Sequence, residues 1–258
     1  MRKFSKVRAL RGIFALLLTS ACPLACVAEV EAIGFWKFDG GGGQSEGAEI
    51  SGDAIKGEGG GPELLIRGNP MYSTDAPEGG ITKGSIKFNM GDILYREEPI
   101  TNQDDLFGIE IWVKSEDPMA TAGAGLVKNG RGQPGFGYGL QQSGESTYMG
   151  IYDGVTYIQS QDTPIPVTGE WTHLALVRDA ESFGTQLYAN GELIYSSERR
   201  APVPVVPDKG KGAFIVGGNL FANNAMKGSF AGHIALVRVF KFKPGEFKAE
   251  DLLYQSKQ

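Results

Sequence analysis

The side chains that most often carry out catalysis are sparse in this sequence and form no recognised catalytic motif. The chain has two histidines, His173 and His233, and each lies within an apolar run that is typical of a β-strand. We expect both to be structural, because a buried imidazole needs hydrogen-bond partners of its own. There is no His-Glu-x-x-His pair, no Gly-x-Ser-x-Gly elbow and no cysteine pair spaced for zinc. These residues therefore favour a binding protein over an enzyme.

Aromatic and amide side chains are concentrated in two regions of the chain. Tyr138, Tyr152 and Tyr157 lie in three predicted strands, and Asn219 and Asn223 lie in a later polar segment. Sugars stack their C–H faces on aromatic rings, and their hydroxyls need hydrogen-bond partners. These five residues are therefore the candidate carbohydrate contacts. The other interpretation is ordinary sheet surface, to which tyrosine is well suited.

The stretch from residue 170 to residue 196 indicates which elements position these side chains. His173 and Ala175 alternate with Leu174 and Leu176, which predicts a strand with apolar residues on both faces. The dipeptide Asn190-Gly191 then separates two strand-like runs. It predicts a type I′ hairpin, because both central residues of that turn need positive φ. Three consecutive antiparallel strands are expected here.

The rest of the chain repeats this pattern of short strands and turns. The sequence contains 38 glycines and no long helical periodicity. The glycine-rich segment 40–61 and the polar segment 219–227 are predicted to be loops. Phe107 to Lys114 is the clearest strand, with Glu110 and Trp112 on one face and four apolar residues on the other. Prolines cluster in two extended connections, where they protect sheet edges from further pairing. The fold class predicted is all-β, a two-sheet antiparallel sandwich.

Several segments together carry a family resemblance. WTHLALVRD at 171–179 and LYANGEL at 187–193 resemble the core of laminin G-like jelly rolls, which belong to the concanavalin A-like lectin/glucanase superfamily. The segments IGFWKFD, GSIKFN, FGIEIWVK and FAGHIALVRVF fit the same pattern in the expected order. The resemblance covers nearly the whole chain after the first thirty residues. It implies a jelly-roll sandwich but no single function. It also implies that Trp112 is a core residue, and the alternative is a stacking platform for a sugar ring.

The resemblance raises two further expectations. The superfamily includes glycoside hydrolases that place two acids on one strand, but this chain has no Glu-x-Asp-x-x-Glu pattern and Glu110 stands alone in its strand. The His, Tyr and Arg constellation of its polysaccharide lyases is also missing. Calcium occurs in the superfamily, and the candidate oxygen ligands are Asp39, Asp153 and Asp179, all at strand ends. His233 and Ala235 stand where many relatives carry an acid.

The first 28 residues resemble a secretory signal peptide. Five basic residues precede the apolar run Ile13–Leu18, which is too short to span a bilayer, and cleavage is expected after Ala28. The alternative is lipoprotein processing at Cys22, which would anchor the protein to a membrane. The segment holds five of the 25 basic residues and none of the 30 acidic ones, so cleavage leaves 20 against 30 and a formal charge of −10. That charge opposes nucleic-acid binding.

The sequence thus predicts an exported protein, secreted or periplasmic, with one jelly-roll domain over residues 29–258 and no transmembrane segment. Its expected role is non-catalytic binding of a glycan, or of an extracellular or envelope protein, through rim loops and the concave sheet. No cofactor is expected, with calcium left open. A hydrolase or lyase with a divergent active site and a purely structural assembly module are the alternatives.

Overall fold

Antiparallel β-strands make up nearly all of the regular structure in the computed structural model of the protein. The residues it describes are 30–40, 44–50, 52–101, 106–116, 125–130, 136–143, 146–153, 157–160, 169–179, 184–196, 213–220 and 226–254. The strands are β1 (Glu31–Lys37), β2 (Ala54–Ile55), β3 (Leu64–Arg67), β4 (Met71–Ser73), β5 (Ser85–Phe88), β6 (Ile93–Arg96), β7 (Phe107–Ser115), β8 (Gly125–Asn129), β9 (Phe136–Ser143), β10 (Ser146–Asp153), β11 (Tyr157–Ser160), β12 (Thr172–Asp179), β13 (Gly184–Ala189), β14 (Glu192–Ser196), β15 (Phe214–Val216), β16 (Gly218–Leu220), β17 (Met226–Ser229) and β18 (Gly232–Lys241). Two 3₁₀ turns cover Glu58–Gly60 and Ala249–Asp251.

Two eight-stranded sheets form the sandwich. Sheet 1 has the order β14-β13-β12-β7-β18-β5-β4, and β1 also pairs with β18. Sheet 2 has the order β11-β10-β9-β8-β15-β6-β3-β2. Strands β16 and β17 form a separate two-stranded ribbon. Every pairing between the described strands is antiparallel. Seven of the fourteen neighbouring pairs in the two sheets join strands that are not consecutive in the chain, as in a jelly roll.

The main hydrophobic core lies between the two sheets and consists of side chains from the inner face of each sheet. Ile109, Ile111 and Val113 of β7 pack in it together with Leu174 and Leu176 of β12. Sheet 2 contributes side chains that include Leu94, Val127, Ile151 and Val216, all buried. Because strand side chains alternate, the intervening residues of β7 and β12 lie on the outer face of sheet 1. The predicted all-β sandwich and this alternation are confirmed.

The outer face of sheet 1 has a partial cover of its own. Phe247 and Leu252, from the C-terminal segment, pack on Ala175, Val177 and neighbouring rings. A β-bulge in β18 between Ile234 and Leu236 changes the register against β7. The bulge brings both His233 and Arg238 opposite outer-face residues of β7, namely Lys114 and Glu110.

Some elements differ from expectation. The glycine-rich segment 40–61, expected to be a loop, contains the edge strand β2 of sheet 2 and a 3₁₀ turn. The polar segment 219–227, also expected to be a loop, begins and ends in the ribbon strands β16 and β17. These strands have two to four residues, so pairing with a partner strand defines them and periodicity does not reveal them.

Candidate functional site

A buried carboxylate organises the outer face of sheet 1. Glu110 of β7 is fully buried, and its carboxylate pairs with the Arg238 guanidinium of β18. Its Oε2 lies 2.8 Å from Nε2 of His173 and accepts a hydrogen bond from the backbone N–H of Leu253 at 2.9 Å. Arg238 also donates to the carbonyl of Asp251 at 2.6 Å. Glu110 therefore ties β12, β18 and the C-terminal segment together. His173 is fully buried and contacts this acid, which is consistent with the predicted structural residue.

Next to this network, an open cleft lies at the end of sheet 1 where β12 begins. Its volume is about 460 Å³. It is lined by three aromatic side chains, two carboxylates, one amide and one glycine: Trp112, Trp171, Tyr254, Glu78, Glu170, Asn190 and Gly169. These residues come from β7, from the segment before β12, from the β13–β14 hairpin, from the β4–β5 connection and from the C-terminal segment. The cleft is therefore assembled from five separate parts of the chain.

The aromatic side chains of the cleft are held in place by polar contacts. The Trp171 indole N–H donates to Oδ1 of Asp75 at 2.8 Å, and the same carboxylate binds the Lys114 ammonium. Burial opposes ionisation of Asp75, but the bonds from Lys114 and Trp171 outweigh it and keep the pKa of Asp75 below its usual value. Lys114 also lies 6.0 Å from the centre of the Trp171 ring. These contacts fix one ring face before any molecule binds.

Trp112 and Tyr254 form the floor of the cleft. Their rings are stacked, with centroids 6.0 Å apart, and Trp112 also packs 5.4 Å from His173. Trp112 is only 8% exposed, and its indole N–H has no hydrogen-bond partner. Its burial agrees with the prediction of a core residue. It packs with Ala235 and Leu236 in a smaller hydrophobic cluster on the outer face of sheet 1.

A second polar cluster extends the site beyond Trp171. His233 lies between Ser85 Oγ, 3.3 Å from Nδ1, and Glu116 Oε1, 3.2 Å from Nε2. Lys87 pairs with Glu116 at 2.7 Å, and its hydrogen bond is the main reason that the pKa of Glu116 is lowered. Ser85 is fully buried and donates to the Asp75 carbonyl at 2.6 Å, so it is not exposed as a nucleophile. His233 is buried between two hydrogen-bond partners, which is consistent with the predicted structural residue.

The three predicted tyrosines lie on adjacent strands of sheet 2, whereas the strands that line this cleft belong to sheet 1. Tyr152 of β10 pairs with Tyr157 of β11 on one side and with Gly137 of β9 on the other. The row of directly paired residues continues through Lys128 of β8 and Ile215 of β15. Tyr138 is paired instead with Ile151 and Val127, which are both core residues. The register therefore does not put the three tyrosines in one cross-strand row. Their contact with a sugar stays a prediction.

The predicted asparagines lie on or beside the ribbon. Asn219 belongs to β16 and is partly buried, and a side chain added at Gly125 would clash with its amide. Asn223 lies outside the described residues. A sugar contact at either asparagine stays a prediction.

The three candidate calcium ligands do not form a described site. Asp179 is fully buried, and its carboxylate accepts a hydrogen bond from Gly245 N–H at 3.3 Å. Asp39 follows β1 beside Tyr72, and Asp153 is the last residue of β10. Within the described ranges, no group of three or more His, Cys, Asp or Glu side chains is arranged to hold a metal ion. Calcium binding stays open.

The cleft residues Glu78, Glu170, Trp171 and Tyr254 were not candidates from the sequence. In the sequence, Trp171 only begins the strand-like run 171–179, and Asn190 only marks a turn. No spacing links residues from five distant segments, so no sequence signal could have grouped them. In the described part of the chain, no helix is long and apolar enough to cross a membrane.

The two-sheet architecture and its order define a concanavalin A-like β-sandwich. The Laminin_G_3 family, described as the concanavalin A-like lectin/glucanases superfamily, matches residues 93–244. The chain belongs to this family. No curated protein matches the sequence significantly.

Solved structures share the fold at low sequence identity. Domain 4 of AbnA, a GH43 extracellular arabinanase from Geobacillus stearothermophilus in complex with arabinotriose, is 20% identical with a TM-score of 0.58, over 88% of this chain and 100% of that one. The Trypanosoma rangeli sialidase in complex with 2,3-difluoro-KDN is 12% identical with a TM-score of 0.51, over 86% of this chain and 32% of that one. The Ruminococcus gnavus IT-sialidase CBM40 bound to α2,6 sialyllactose is 20% identical with a TM-score of 0.43, over 57% of this chain and 82% of that one.

Proposed function

We propose that the protein binds carbohydrate without chemical conversion, in the cleft at the start of β12. The observation that carries the proposal is the lining of this cleft, where Trp112, Trp171 and Tyr254 surround one opening together with carboxylate and amide groups. Aromatic rings accept the C–H faces of a pyranose or furanose, and the polar groups meet its hydroxyls. A small number of polar groups that point into a cleft with apolar walls is typical of a ligand-binding site.

The polar groups at the rim of the cleft can form hydrogen bonds with a sugar. Asn190 uses its side-chain oxygen to accept the N–H of His173 at 2.9 Å, so its amide N–H groups point elsewhere and can donate. Glu170 is exposed beside Trp171 and can accept from sugar hydroxyls. The rim thus offers donors and acceptors next to stacking surfaces.

Preorganisation supports binding at this place. Trp171 is fixed through Asp75 and Lys114, and the segment that carries Tyr254 is fixed through the Leu253–Glu110 bond. Binding to rings that are already ordered avoids the entropy cost of immobilising them. The fold of the arabinanase domain, which is solved with arabinotriose, is a further reason to test sugars first.

One observation favours a second function, glycoside hydrolysis. Glu78 and Glu170 line the same cleft, and hydrolases of sugars use two carboxyl groups on either side of the bond that is cleaved. Glu170→Gln separates the two functions. It would abolish hydrolysis, whereas a binding module would keep most of its affinity, because the rings remain.

The experiment is a glycan array with the purified protein, in calcium and again with chelator, followed by calorimetry on the sugar bound best. Trp171→Ala is expected to weaken binding by about 10- to 100-fold, since one stacking ring contributes on the order of 1–3 kcal/mol. Trp171→Phe should retain part of the affinity, because it keeps a ring and loses only the bond to Asp75. Tyr95→Ala, an aromatic deletion on sheet 2, serves as the control and should bind like the wild type.

Three results would decide against the cleft. Binding that survives in Trp171→Ala would place the site elsewhere, and the tyrosines of sheet 2 would be tested next. Loss of binding with chelator would implicate calcium, which the cleft lining does not require. A blank array in both conditions would shift the proposal to a protein partner or a structural role.

We also propose that the protein works outside the cytoplasm, secreted or in the periplasm, on the strength of the signal-like pattern of its first 28 residues. Extracellular glycans or envelope proteins are the partners that this location would offer.

A further inference from the structure

The hydrogen-bond partners of His233 determine how many protons its ring carries. The Ser85 hydroxyl has one proton, and Ser85 donates it to the backbone carbonyl of Asp75 at 2.6 Å, because a carbonyl oxygen only accepts. Ser85 Oγ also lies 3.3 Å from Nδ1 of His233, so the oxygen must accept a hydrogen bond from that nitrogen. Nδ1 of His233 therefore carries a proton.

The other ring nitrogen of His233 faces a carboxylate. Its Nε2 lies 3.2 Å from Oε1 of Glu116. The hydrogen bond from Lys87 is the main cause that lowers the pKa of Glu116, so this carboxylate is ionised at neutral pH and only accepts. A neutral imidazole has one N–H and would turn a lone pair towards one of the two oxygens. Both contacts are satisfied together only when His233 is an imidazolium.

The described charged side chains that face His233 come from several neighbouring elements. They are Lys87, Lys114, Glu46, Asp75 and Glu116. The two lysines are its partners across the sheet, on β5 and β7, and each of them is bound to one of the acids. The pair of Lys114 with Asp75 is the one that holds Trp171, so the charge of His233 acts next to the cleft.

A continuous path of contacts leads from His233 to the Trp171 ring. Ser85 connects Nδ1 of His233 to the backbone of Asp75, and the Asp75 carboxylate accepts the indole N–H of Trp171 at 2.8 Å. The two rings also meet edge to face, with centroids 6.3 Å apart. Once Nδ1 loses its proton it becomes an acceptor, and the Ser85 hydroxyl can rotate to donate to it. The Asp75 carbonyl then loses the hydrogen bond from Ser85.

We propose that His233 is a positioning residue whose protonation controls how firmly Trp171 is held, through the Ser85 hydroxyl and Asp75. The protonated ring leaves Ser85 bound to Asp75 and keeps Trp171 in place. As the pH rises and the proton is lost, Ser85 turns to His233 and Trp171 is held less firmly. On the basis of the proposed function, sugar binding is strongest while His233 is protonated.

The test is an NMR titration of the ¹⁵N-labelled protein from about pH 5 to pH 9, which includes the range in which histidine ordinarily changes charge. Both ring nitrogens of His233 should carry protons at pH 5. The indole N–H signal of Trp171 should shift with the same midpoint as the His233 ring signals, and His233→Asn and Trp171→Phe assign these signals. The indole of Trp36 donates to the Pro62 carbonyl in the main core, and its signal should not follow this titration.

Ser85→Ala separates coupling through the hydroxyl from mere proximity of the two rings. In this variant the Trp171 signal should no longer follow the titration of His233. Ser115→Ala is the matched control, because Ser115 is also fully buried on a neighbouring strand and its hydroxyl has no hydrogen-bond partner. This control should keep the coupling.

Three results would overturn the proposal: a single protonated ring nitrogen of His233 at pH 5, a Trp171 signal that stays fixed while His233 titrates, or coupling that persists in Ser85→Ala. The first two are measured on the wild-type protein, so they decide even if the variant does not fold.

The titration uses no sugar, so its outcome is independent of the proposed function. A coupled titration with a blank glycan array would keep the role of His233 and reject sugar binding, and the reverse result would reject only the role of His233. Where sugar binding and coupling are both found, calorimetry with the sugar bound best on the array should show weaker binding at pH 8 than at pH 5.5. Ser85→Ala should remove that difference.

Discussion

At the scale of single residues, Glu110 is a buried acid on which several elements depend. It is buried, and three different elements depend on its two oxygens through Arg238, His173 and Leu253. Removing one member of such a network leaves other charges and donors buried without a partner, which is far more costly than losing a surface ion pair. The position of Tyr254 in the cleft follows from the same contacts, since it is the next residue after Leu253.

We expect Glu110→Ala to lower the free energy of unfolding by about 3–5 kcal/mol, because Arg238 would be left as an uncompensated buried charge. Urea denaturation measures the change. The control is Glu98→Ala, whose exposed pair with Arg96 should contribute less than about 1 kcal/mol. Similar costs for the two variants would contradict the role assigned to Glu110.

Lys128 of β8 gives a prediction that depends on pH. It is 4% exposed, and burial lowers its pKa from 10.5 to about 8. Between pH 8 and 10.5 the unfolded chain therefore binds more protons than the folded protein, and this residue makes stability rise with pH. Below about pH 8 both states are protonated, and the full desolvation cost acts against folding.

Lys128→Met is therefore expected to raise the free energy of unfolding at pH 7 by about 1–3 kcal/mol, and the gain should shrink towards pH 10. Urea denaturation at pH 7, 8, 9 and 10 measures the difference between variant and wild type. Lys243→Met, at an exposed lysine, should give a difference that stays near zero at every pH. If the stability gained by Lys128→Met grew with pH, the predicted direction of the pH dependence would be wrong.

At the scale of elements, the β13–β14 hairpin and the C-terminal segment build the cleft together. Asn190 and Gly191 have φ of 48° and 79°, which confirms the predicted hairpin with positive φ at both residues. The Gly191 backbone lies so close to the Tyr254 ring that an added Cβ would be 2.7 Å from its Cδ1. The glycine is thus needed twice, for the turn and for the approach of Tyr254.

Gly191→Ala should cost about 1–2 kcal/mol of stability from the positive φ and should also weaken sugar binding, because the methyl group displaces Tyr254. Gly47→Ala is the matched control, with φ of 73° and open space around its Cβ. We expect a similar backbone cost there and unchanged binding. Thermal unfolding and calorimetry measure the two effects. If both variants bind equally well, Tyr254 does not contribute to the site.

At the scale of the whole molecule, the proposed export predicts a defined processed form. Expressed with its own N-terminus in a bacterial host, the exported protein should begin at Glu29 and contain no cysteine, as measured by intact mass. Ala28→Arg should prevent cleavage, because the site needs a small residue. A lipid-modified N-terminus that disappears in Cys22→Ala would instead establish the lipoprotein alternative.

The sequence was informative wherever a rule acts over a few neighbouring residues. Alternation in β7 and β12 predicted two strands and the division of their side chains between two faces, and the structure confirms it. The predicted polar loop at 219–227 was wrong at its ends, because short strands are defined by a partner. Trp112 was correctly predicted to be buried. Sheet 1 is covered on both faces, so the face on which Trp112 is buried depends on segments that are distant in the sequence.

The amino-acid sequence by itself determined the all-β fold class, the hairpin at Asn190-Gly191 and the position of both histidines within buried strands, since each follows from local periodicity or turn chemistry. Only the tertiary structure decided that Trp171, Tyr254 and Glu170 share a cleft and that Glu110 fastens the C-terminal segment. The physical reason is that strand order in a jelly roll is non-local. Residues separated by more than one hundred positions meet there through sheet pairing, and no spacing along the chain records that meeting.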